Sequence, residues 1–293
     1  MRKLLVLLLV LAASPAAAAT LKISTWNLEW LTLRQAGAPG LPADVHPRRP
    51  GDWTALAGYA RRLDADVVAF QEVDGKAPAA RLFPPASYNL VVTHDRTALR
   101  VGFAIRRGIT FRQNPDVTSL VPYRHARYPL RSGADVTLML GGQRLRLLAV
   151  HLKAGCWYRD IYSRKYACRT LARQIPGLRR WIAARDAHGT PFVVLGDFNR
   201  VMDGTDRFHR AMDPFFSQRH QGLSGKALLR ADAGLENPCW GGGHFTDHVL
   251  LGGPARGWLV PHSLRVMVYR QTNPAWKDRL SDHCPVSIQL NVP

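Results

Sequence analysis

Polar side chains capable of chemistry stand at the ends of several short apolar runs in the sequence. The segments concerned are Trp26–Glu29, Gln71–Val73, His151–Lys153, Gly196–Asn199, Asp247 and Ser281–His283. A polar group at the end of a buried strand destabilises a fold unless it is paired or solvated. Because strand ends converge in a layered fold, we expect the six segments to meet in one shared site.

The residue types in these segments fit the hydrolysis of a phosphoester with the help of a divalent metal. The carboxylates of Glu72 and Asp282 and the amide of Asn27 offer hard oxygen ligands, which suit Mg²⁺, Mn²⁺ or Ca²⁺ rather than zinc. A phosphodiester repels nucleophiles, so a metal or cationic groups must neutralise its phosphoryl oxygens. A carboxylate must also position or deprotonate water, and imidazoles must stabilise charge or protonate the leaving oxygen. The side chains that can fill these roles are Asp197, His151 and His283.

Nine apolar, β-branched runs predict the strands that position these residues. The predicted strands are Leu21–Thr25, Asp66–Phe70, Tyr88–Thr93, Val101–Arg106, Val136–Leu140, Arg144–His151, Phe192–Leu195, Thr246–Leu251 and Val286–Leu290. Two amphipathic helices are also predicted. The first opens with Asp52 as its N-cap, and the second follows Cys168 and is kinked at Pro176. Many strands with few helices indicate two packed sheets with helices outside.

The N-terminus reads as a targeting segment rather than as part of the fold. Basic residues precede the apolar run Leu4–Leu11, and Ala17 and Ala19 fit an A-x-A cleavage signal. The run is too short to span a membrane comfortably. We therefore expect a signal peptide over residues 1–19, cleavage near Ala19, one catalytic domain over residues 20–293, and a secreted or periplasmic protein.

The charge of the chain is strongly positive. It has 40 Lys and Arg against 21 Asp and Glu, a formal net charge of +19, and removal of Arg2 and Lys3 leaves +17. Such a charge favours polyanionic partners, either nucleic acid or an anionic lipid surface. Most of the cations are Arg, so the base composition of the genome is a competing explanation. We expect a monomer and infer no obligate protein partner.

Four cysteines allow three pairings in an oxidising compartment. Cys156 and Cys168 flank an 11-residue loop and form the favoured pair. Cys239 and Cys284 are the remaining option. The cysteines have no C-x-x-C spacing, which disfavours a zinc site.

Together the six segments resemble the endonuclease/exonuclease/phosphatase superfamily, which includes deoxyribonuclease I, apurinic endonucleases, sphingomyelinases and inositol polyphosphate 5-phosphatases. They occur in the family's order and span nearly the whole mature chain. The resemblance implies an α+β fold, a four-layer α/β/β/α sandwich of two mixed β-sheets flanked by helices. It also implies a phosphoric ester hydrolase that uses Mg²⁺, with Mn²⁺ or Ca²⁺ as alternatives.

The resemblance assigns a role to each matching residue. Glu72 would be the principal metal ligand, with Asn27 and Asp282 nearby. Asp197 would orient or activate water, and Asn199 would hydrogen-bond the phosphate. Asp247 would pair with His283, and His283 would contact the scissile phosphate. His151 would act as general acid or phosphate ligand. Arg127, which precedes Tyr128 and Pro129, resembles an Arg-x-Pro phosphate contact found in part of the family.

The sequence departs from the family pattern at the support of His151. In deoxyribonuclease I a Glu supports the matching imidazole. When the corresponding strands are aligned in the simplest way, Leu99 of this chain occupies the position of that Glu. Asp95 is the candidate substitute for this Glu.

Two further side chains have structural alternatives to a role in the site. His248, which follows Asp247 on the strand, should point to the opposite face. Glu29 could share the site face or form a structural salt bridge.

The loop between Cys156 and Cys168 interleaves aromatic and basic residues directly after His151. Trp157 and Arg159 are its candidate substrate contacts, since the pattern suits stacking on bases and contacting phosphates. It also suits a lipid interface or a solvated loop.

The leading functional hypothesis is a nuclease acting on DNA or RNA. The alternatives are a sphingomyelinase-like or other phospholipid hydrolase, a phosphomonoesterase, and a protein that binds polyanions without catalysis.

Overall fold

A computed structural model describes residues 19–127, 129–203, 206–215 and 227–293. The predicted signal peptide, apart from Ala19, lies outside these residues, as does Tyr128 of the Arg-x-Pro match. Within the described ranges the chain forms two six-stranded sheets. Each sheet is mixed, because one of its strand pairs is parallel and the others are antiparallel.

The first sheet carries the N-terminal and C-terminal strands at its centre. Its order is β11-β12-β1-β2-β4-β3. The strands are β1 (Ala19–Leu31), β2 (Val67–Val73), β3 (Tyr88–Val92), β4 (Arg100–Arg106), β11 (Arg265–Val266) and β12 (Val286–Val292). β1 runs parallel to β2 and antiparallel to β12.

The second sheet is formed by the middle of the chain, in the order β5-β6-β7-β8-β10-β9. Its strands are β5 (Thr110–Gln113), β6 (Ala134–Leu140), β7 (Gln143–His151), β8 (Phe192–Asp197), β9 (Leu229–Arg230) and β10 (Asp247–Gly252). β7 is parallel to β8, and β10 is antiparallel to β8. All nine predicted strands are confirmed, and the short strands β5, β9 and β11 are additional.

Three hydrophobic clusters define the four layers. One lies between the sheets and takes inward-facing residues from both, such as Ile23, Phe103 and Leu147. A second joins the outer face of the second sheet to α3 (Tyr166–Ala187) and α4 (Arg207–Met212). The third joins the outer face of the first sheet to α1 (Pro50–Leu63) and α2 (Lys76–Leu82). The predicted α/β/β/α sandwich is therefore confirmed.

The two predicted helices form, but both begin earlier than the sequence indicated. α1 has Arg49 as its N-cap, and Asp52 lies one turn inside, where its carboxylate accepts the Arg49 N–H at 2.9 Å. Asp52 as N-cap was therefore wrong, because Pro50 is favourable in the first helical turn and Asp52 caps from within it. α3 begins at Tyr166 and continues through Pro176 without a break.

Both proposed disulfides are present. Cys156 pairs with Cys168 across 12 positions, and Cys239 pairs with Cys284 across 45 positions. None of the helices in the described ranges combines the length and the apolar composition needed to cross a bilayer.

Candidate active site

Four strand ends, the irregular part of β1 that begins at Asn27, and the segment before β12 bring the predicted residues to one edge of the sandwich. Parallel pairing of β7 with β8 places His151 opposite Asp197, and antiparallel pairing of β10 with β8 places Asp247 opposite the same residue. Asn27 lies opposite Gln71 on the parallel pair β1 and β2 of the other sheet. The convergence expected from the sequence is thus observed in the register of the strands.

Local backbone features then aim individual side chains into this edge. The register of β2 shifts between Phe70 and Val73, and Glu72 within this irregularity has φ of 59°. Gly196 has φ of 143°, and a Cβ there would lie 2.0 Å from the Val150 carbonyl oxygen. Only glycine fits this close approach of β7 and β8, which sets Asp197 beside His151.

The Asn27 side chain joins the two sheets at the centre of the site. It is buried, and its Nδ2 donates to Glu72 Oε1 and to Asp197 Oδ2, both at 3.1 Å. Its Oδ1 accepts the backbone N–H of Glu29 at 2.9 Å. The amide nitrogen, rather than the oxygen, therefore faces the two carboxylates.

Asp197 is the carboxylate on which most of the site converges. Its Oδ1 accepts the backbone N–H of Asn199 at 2.7 Å, and its Oδ2 accepts Asn199 Nδ2 at 2.8 Å. His151 Nε2 lies 3.6 Å and His283 Nε2 lies 3.9 Å from the same Oδ2. Burial raises the pKa of Asp197 to about 7, with His283 opposing the shift and Asp247 adding to it.

His283 is held by a carboxylate on one side and faces the site on the other. Its Nδ1 lies 2.6 Å from Asp247 Oδ2. Its backbone carbonyl accepts the hydroxyl of Tyr269 at 2.8 Å. Burial opposes the charged imidazolium, but Asp247 and then Asp197 outweigh it and raise the pKa of His283 well above its ordinary value. Its two carboxylate neighbours therefore favour the imidazolium form of His283.

His151 has the opposite electrostatic setting. Its Nε2 lies 3.5 Å from Glu72 Oε1, while its buried Nδ1 has no hydrogen-bond partner among the described residues. Burial, with Arg131 as the next cause, lowers the pKa of His151 well below its ordinary value. Asp95 does not supply the missing support, because its carboxylate accepts the N–H and hydroxyl of Ser132, both at 2.8 Å.

Three acidic side chains, those of Glu29, Glu72 and Asp282, lie close together beside Asn27. Burial raises the pKa of Glu72, with Asn27 and Arg131 opposing and Asp282 adding to the shift. Burial also raises the pKa of Glu29 to about 8, with Asp282 as the next cause. Glu29 Oε2 accepts the Asp282 N–H at 2.9 Å, so Glu29 shares the site face.

Two arrangements of these acids and imidazoles have the spacing of a metal site. The first comprises Glu72, His151 and Asp197, and the second comprises Asp197, Asp247 and His283. Glu72 belongs to a cluster as expected. Asp282 belongs to neither, and it lies instead with Oδ1 3.7 Å from His283 Nε2.

Sequence reasoning missed the cation that lies deepest in the site. Arg131 is 7% exposed, and its Nη2 donates to the Leu152 carbonyl at 2.9 Å. Burial lowers the pKa of Arg131 to about 10, with Glu72 and Asp197 opposing. Arg127, which the sequence favoured, is exposed and lines a cavity that Arg131 also lines. Arg131 lies three residues before the start of β6, but one Arg among so many carries little signal.

The candidate contacts from the cysteine-bounded loop are placed differently from one another. Trp157 is 48% exposed, and its Nε1 donates to Asn199 Oδ1 at 3.3 Å, so its ring borders the site. Arg159 is exposed, and its backbone carbonyl accepts Arg200.

His248 faces away from the site, as its strand position predicted. It is buried, with Nδ1 2.9 Å from Asp232 Oδ2 and Nε2 2.8 Å from the Arg200 carbonyl oxygen. Both partners are acceptors, so the imidazole must donate from both nitrogens and carry a positive charge.

Comparison with known proteins agrees with this geometry. A sequence model of the Endonuclease/Exonuclease/phosphatase family matches residues 24–283. No curated protein matches the chain.

Three solved structures illustrate the similarity of fold. Truncated TDP2 from Caenorhabditis elegans is 15% identical, covers 93% of this chain and 98% of its own, and has a TM-score of 0.58. D. rerio TDP2 complexed with single strand DNA product is 16% identical, covers 94% of this chain and 100% of its own, and has a TM-score of 0.55. The human nocturnin catalytic domain with bound sulfate anion is 16% identical, covers 92% of this chain and 93% of its own, and has a TM-score of 0.53.

Proposed function

The chain belongs to the endonuclease/exonuclease/phosphatase family, and we propose that it is an exported, divalent-metal-dependent phosphodiesterase that hydrolyses nucleic acid. The observation that carries this proposal is the environment of Asp197. One buried carboxylate is within hydrogen-bonding distance of two amides, and its Oδ2 lies within 4 Å of two imidazoles. Glu72, on the other sheet, is joined to it through Asn27.

The donor set fits a hard divalent cation. Burial raises the pKa of Glu72, which means that a cation bound beside it would stabilise its carboxylate form. We propose Glu72 as the principal ligand, with Asp282 completing the site directly or through water. Asn27 could offer an oxygen only if its amide turned over, so we propose that it orients Glu72 and Asp197. A bound Mg²⁺ would supply charge neutralisation at the phosphoryl oxygens.

Asp197 is suited to orient and deprotonate the attacking water. A general base works best when its pKa is near the operating pH, and the pKa of Asp197 is raised to about 7. Asn199 fixes both carboxylate oxygens through its backbone and side-chain N–H groups. The carboxylate therefore keeps one orientation while it accepts a proton.

Cationic groups around Asp197 would stabilise the negative charge that develops on the phosphoryl group. Asp247 favours the imidazolium form of His283, and Arg131 is a buried guanidinium next to Glu72 of one sheet and Asp197 of the other. The pKa of His151 is lowered, and its Nδ1 has no hydrogen-bond partner among the described residues, which argues against a role as general acid. We propose that His151 hydrogen-bonds the phosphate and that His283 is the proton donor.

Nucleic acid is the substrate class that the surroundings favour. The chain carries a net charge of +19, and the loop beside the site exposes aromatic rings, among them those of Trp157 and Tyr158. Unpaired bases stack on such rings, while Arg contacts phosphates. The D. rerio TDP2 neighbour was solved with a single strand DNA product. The same exposed rings suit a lipid interface, so a phospholipid phosphodiesterase is the second candidate.

Export is supported by both disulfides and by the basic and apolar residues that open the sequence. Expression with the native N-terminus, followed by mass spectrometry of the exported form, tests it. A mature chain that starts near Thr20 is expected, and an intact N-terminus on cytoplasmic protein would refute the signal peptide.

A substrate panel distinguishes the candidate functions. The mature protein is incubated with supercoiled plasmid, RNA and sphingomyelin, each with Mg²⁺, Ca²⁺ or a chelator, alongside Asp197→Ala. Asp232→Asn serves as the control for loss of a buried carboxylate outside the site. We expect cleavage of plasmid or RNA only with metal and only when Asp197 is present. Preferential hydrolysis of sphingomyelin would favour the lipid enzyme, and hydrolysis of none would favour a binding protein.

A further inference from the structure

Two neighbouring cavities adjoin the N-terminal half of α3. The inner cavity, of about 730 Å³, is lined by Trp30, Arg131 and Lys153 at its catalytic end. The outer cavity, of about 710 Å³, reaches Arg169 and Arg173 of α3. Both are lined by Tyr123, Ala126 and Tyr166, so they form one continuous groove. We call this surface the α3 groove.

The α3 groove is uniformly cationic. No Asp or Glu is among the described residues that line it. Its cations are Arg96, Arg124, Arg127, Arg131, Lys153, Arg169 and Arg173. Arg131 is buried, and its Nε has no hydrogen-bond partner in the described part of the chain. Lys153 Nζ donates to the Ala154 carbonyl oxygen at 3.0 Å.

The walls of the α3 groove carry aromatic rings where the two cavities join. Tyr123 and Tyr166 have ring planes within 15° of parallel and centroids 6.5 Å apart. Tyr166 is 59% exposed, and the Arg173 guanidinium lies 5.0 Å from the centroid of the Tyr123 ring. A planar, negatively charged ligand would find stacking faces and cations together at this point.

The helix gives the groove a fixed geometry. Tyr166, Arg169 and Arg173 follow one another at spacings of three and four residues, so they share one face of α3. At about 1.5 Å per residue they span roughly 10 Å of helix. The Cys156–Cys168 disulfide ties the first turn of α3 to the segment that follows His151. The aromatic and basic side chains are therefore held in line with the catalytic edge.

We propose that the α3 groove binds an unpaired strand of the nucleic acid substrate, with phosphates on its arginines and bases on Tyr123 and Tyr166. This inference rests on the proposed function and names the substrate as single-stranded or frayed nucleic acid. In a duplex the base faces are stacked on each other and are not available to the tyrosine rings. A strand presents a phosphate at every nucleotide, which matches the seven cations along the groove, whereas a phospholipid presents its phosphate only at the headgroup.

Binding can be measured without cleavage by placing every variant in an Asp197→Ala background. The probes are a fluorescent single strand of about 12 nucleotides, a blunt duplex of the same length, and vesicles of phosphatidylglycerol. Tyr166→Ala removes the exposed ring, and Tyr162→Ala is its matched control. Tyr162 is 57% exposed in the same loop but lines neither cavity. Arg173→Ala is compared with Arg61→Ala, an exposed arginine of α1 on the other side of the sandwich.

The wild-type groove should bind the single strand more tightly than the duplex. Tyr166→Ala should weaken single-strand binding by roughly 5- to 150-fold, the range for one lost base stack. Arg173→Ala should lower the slope of log affinity against log salt by about 0.7. Equal binding of strand and duplex, tighter binding to vesicles, or equal effects of the control variants would overturn the groove assignment.

A small diester separates failure of this inference from failure of the proposed function. Bis(p-nitrophenyl) phosphate has no strand to reach the groove, so Tyr166→Ala with Asp197 intact should hydrolyse it as fast as wild type does. If wild type hydrolyses this ester and single strands, but Tyr166→Ala leaves KM for the strand unchanged, only the groove assignment fails. If wild type hydrolyses no phosphoester, the proposed function fails.

Discussion

Replacement of Asp247 by Asn tests whether the charge on His283 drives the reaction. The Asp247 carboxylate lies 2.6 Å from His283 Nδ1 and is the strongest influence that favours the imidazolium over burial. A hydrogen bond to a charged group contributes about 1.5–3 kcal/mol, against about 0.5–1.5 kcal/mol for a neutral one. The variant should therefore lose about 1–2 kcal/mol of preference for the charged form, which shifts its protonation equilibrium roughly 5- to 30-fold.

The sign of the change can be followed in a pH–rate profile. The pKa of His283 is raised in the wild type, so the imidazolium persists as pH rises. The alkaline limb of the profile, where the rate falls, should therefore lie at high pH. Without the Asp247 charge this pKa falls, and the alkaline limb should move to lower pH. Asp247 also raises the pKa of Asp197, so the acidic limb should move in the same direction.

The assay is kcat/KM for a small phosphodiester across the pH range, at saturating metal. Asp232→Asn is the matched control, because it removes the same type of carboxylate from the Nδ1 of His248 outside the site. The control should keep the wild-type profile. An unchanged alkaline limb in Asp247→Asn, or an equal shift in both variants, would refute the assignment of His283 as the essential acid.

Three further predictions concern the framework of the site. Removal of the Cys156–Cys168 disulfide by a double Ser substitution should lower the free energy of unfolding by about 3 kcal/mol, measured by urea denaturation, since it closes a loop across 12 positions. An unchanged urea midpoint and slope would contradict this. Gly196→Ala should destabilise the protein by roughly 3 kcal/mol or more, because the new Cβ meets the Val150 carbonyl oxygen; a normal melting temperature would show the close approach of β7 and β8 to be wrong. The pKa of His248 is raised in the folded state because Asp232 and two hydrogen bonds outweigh burial. Its contribution to stability should therefore be complete below about pH 6.5, the unfolded value, and be lost as pH rises through the folded pKa. Unfolding free energies that show the same pH dependence in Asp232→Asn would contradict that origin.

The convergence of the site was predictable because its signal is local. Each of Asn27, Asp197 and His283 directly follows or precedes an apolar run, and strand ends must meet in a layered fold. The pairing of Asp247 with His283 followed from resemblance alone. Its 2.6 Å separation depends on the register of β10 with β8 and on the segment before β12, which no local pattern encodes.

Arg131 shows what a sequence alone does not reveal. In a chain with 40 Lys and Arg, one more Arg has no distinguishing pattern. Its importance comes from burial next to Glu72 and Asp197, which is a property of the folded chain. Asp95 failed as the support of His151 for a related reason, since its short side chain reaches the Ser132 backbone first.

The helix starts illustrate a second limit. An Asp before an apolar face favours an N-cap, but the same residue also serves inside the first turn. Asp52 accepts the Arg49 N–H because Pro50 allows the helix to begin two residues earlier. The Cys239–Cys284 bridge, which spans 45 positions, likewise depends on tertiary contacts rather than on spacing.

The central claim is that a divalent cation held at Glu72 enables this chain to cleave phosphodiesters. The most direct measurement is the rate of single-strand cleavage after chelation and then during Mg²⁺ titration, for wild type and Glu72→Gln. The account predicts no cleavage in chelator, full recovery at saturating Mg²⁺ for wild type, and a much weaker apparent metal affinity for Glu72→Gln. Cleavage that persists in chelator, or a Glu72→Gln titration identical to that of wild type, would contradict it.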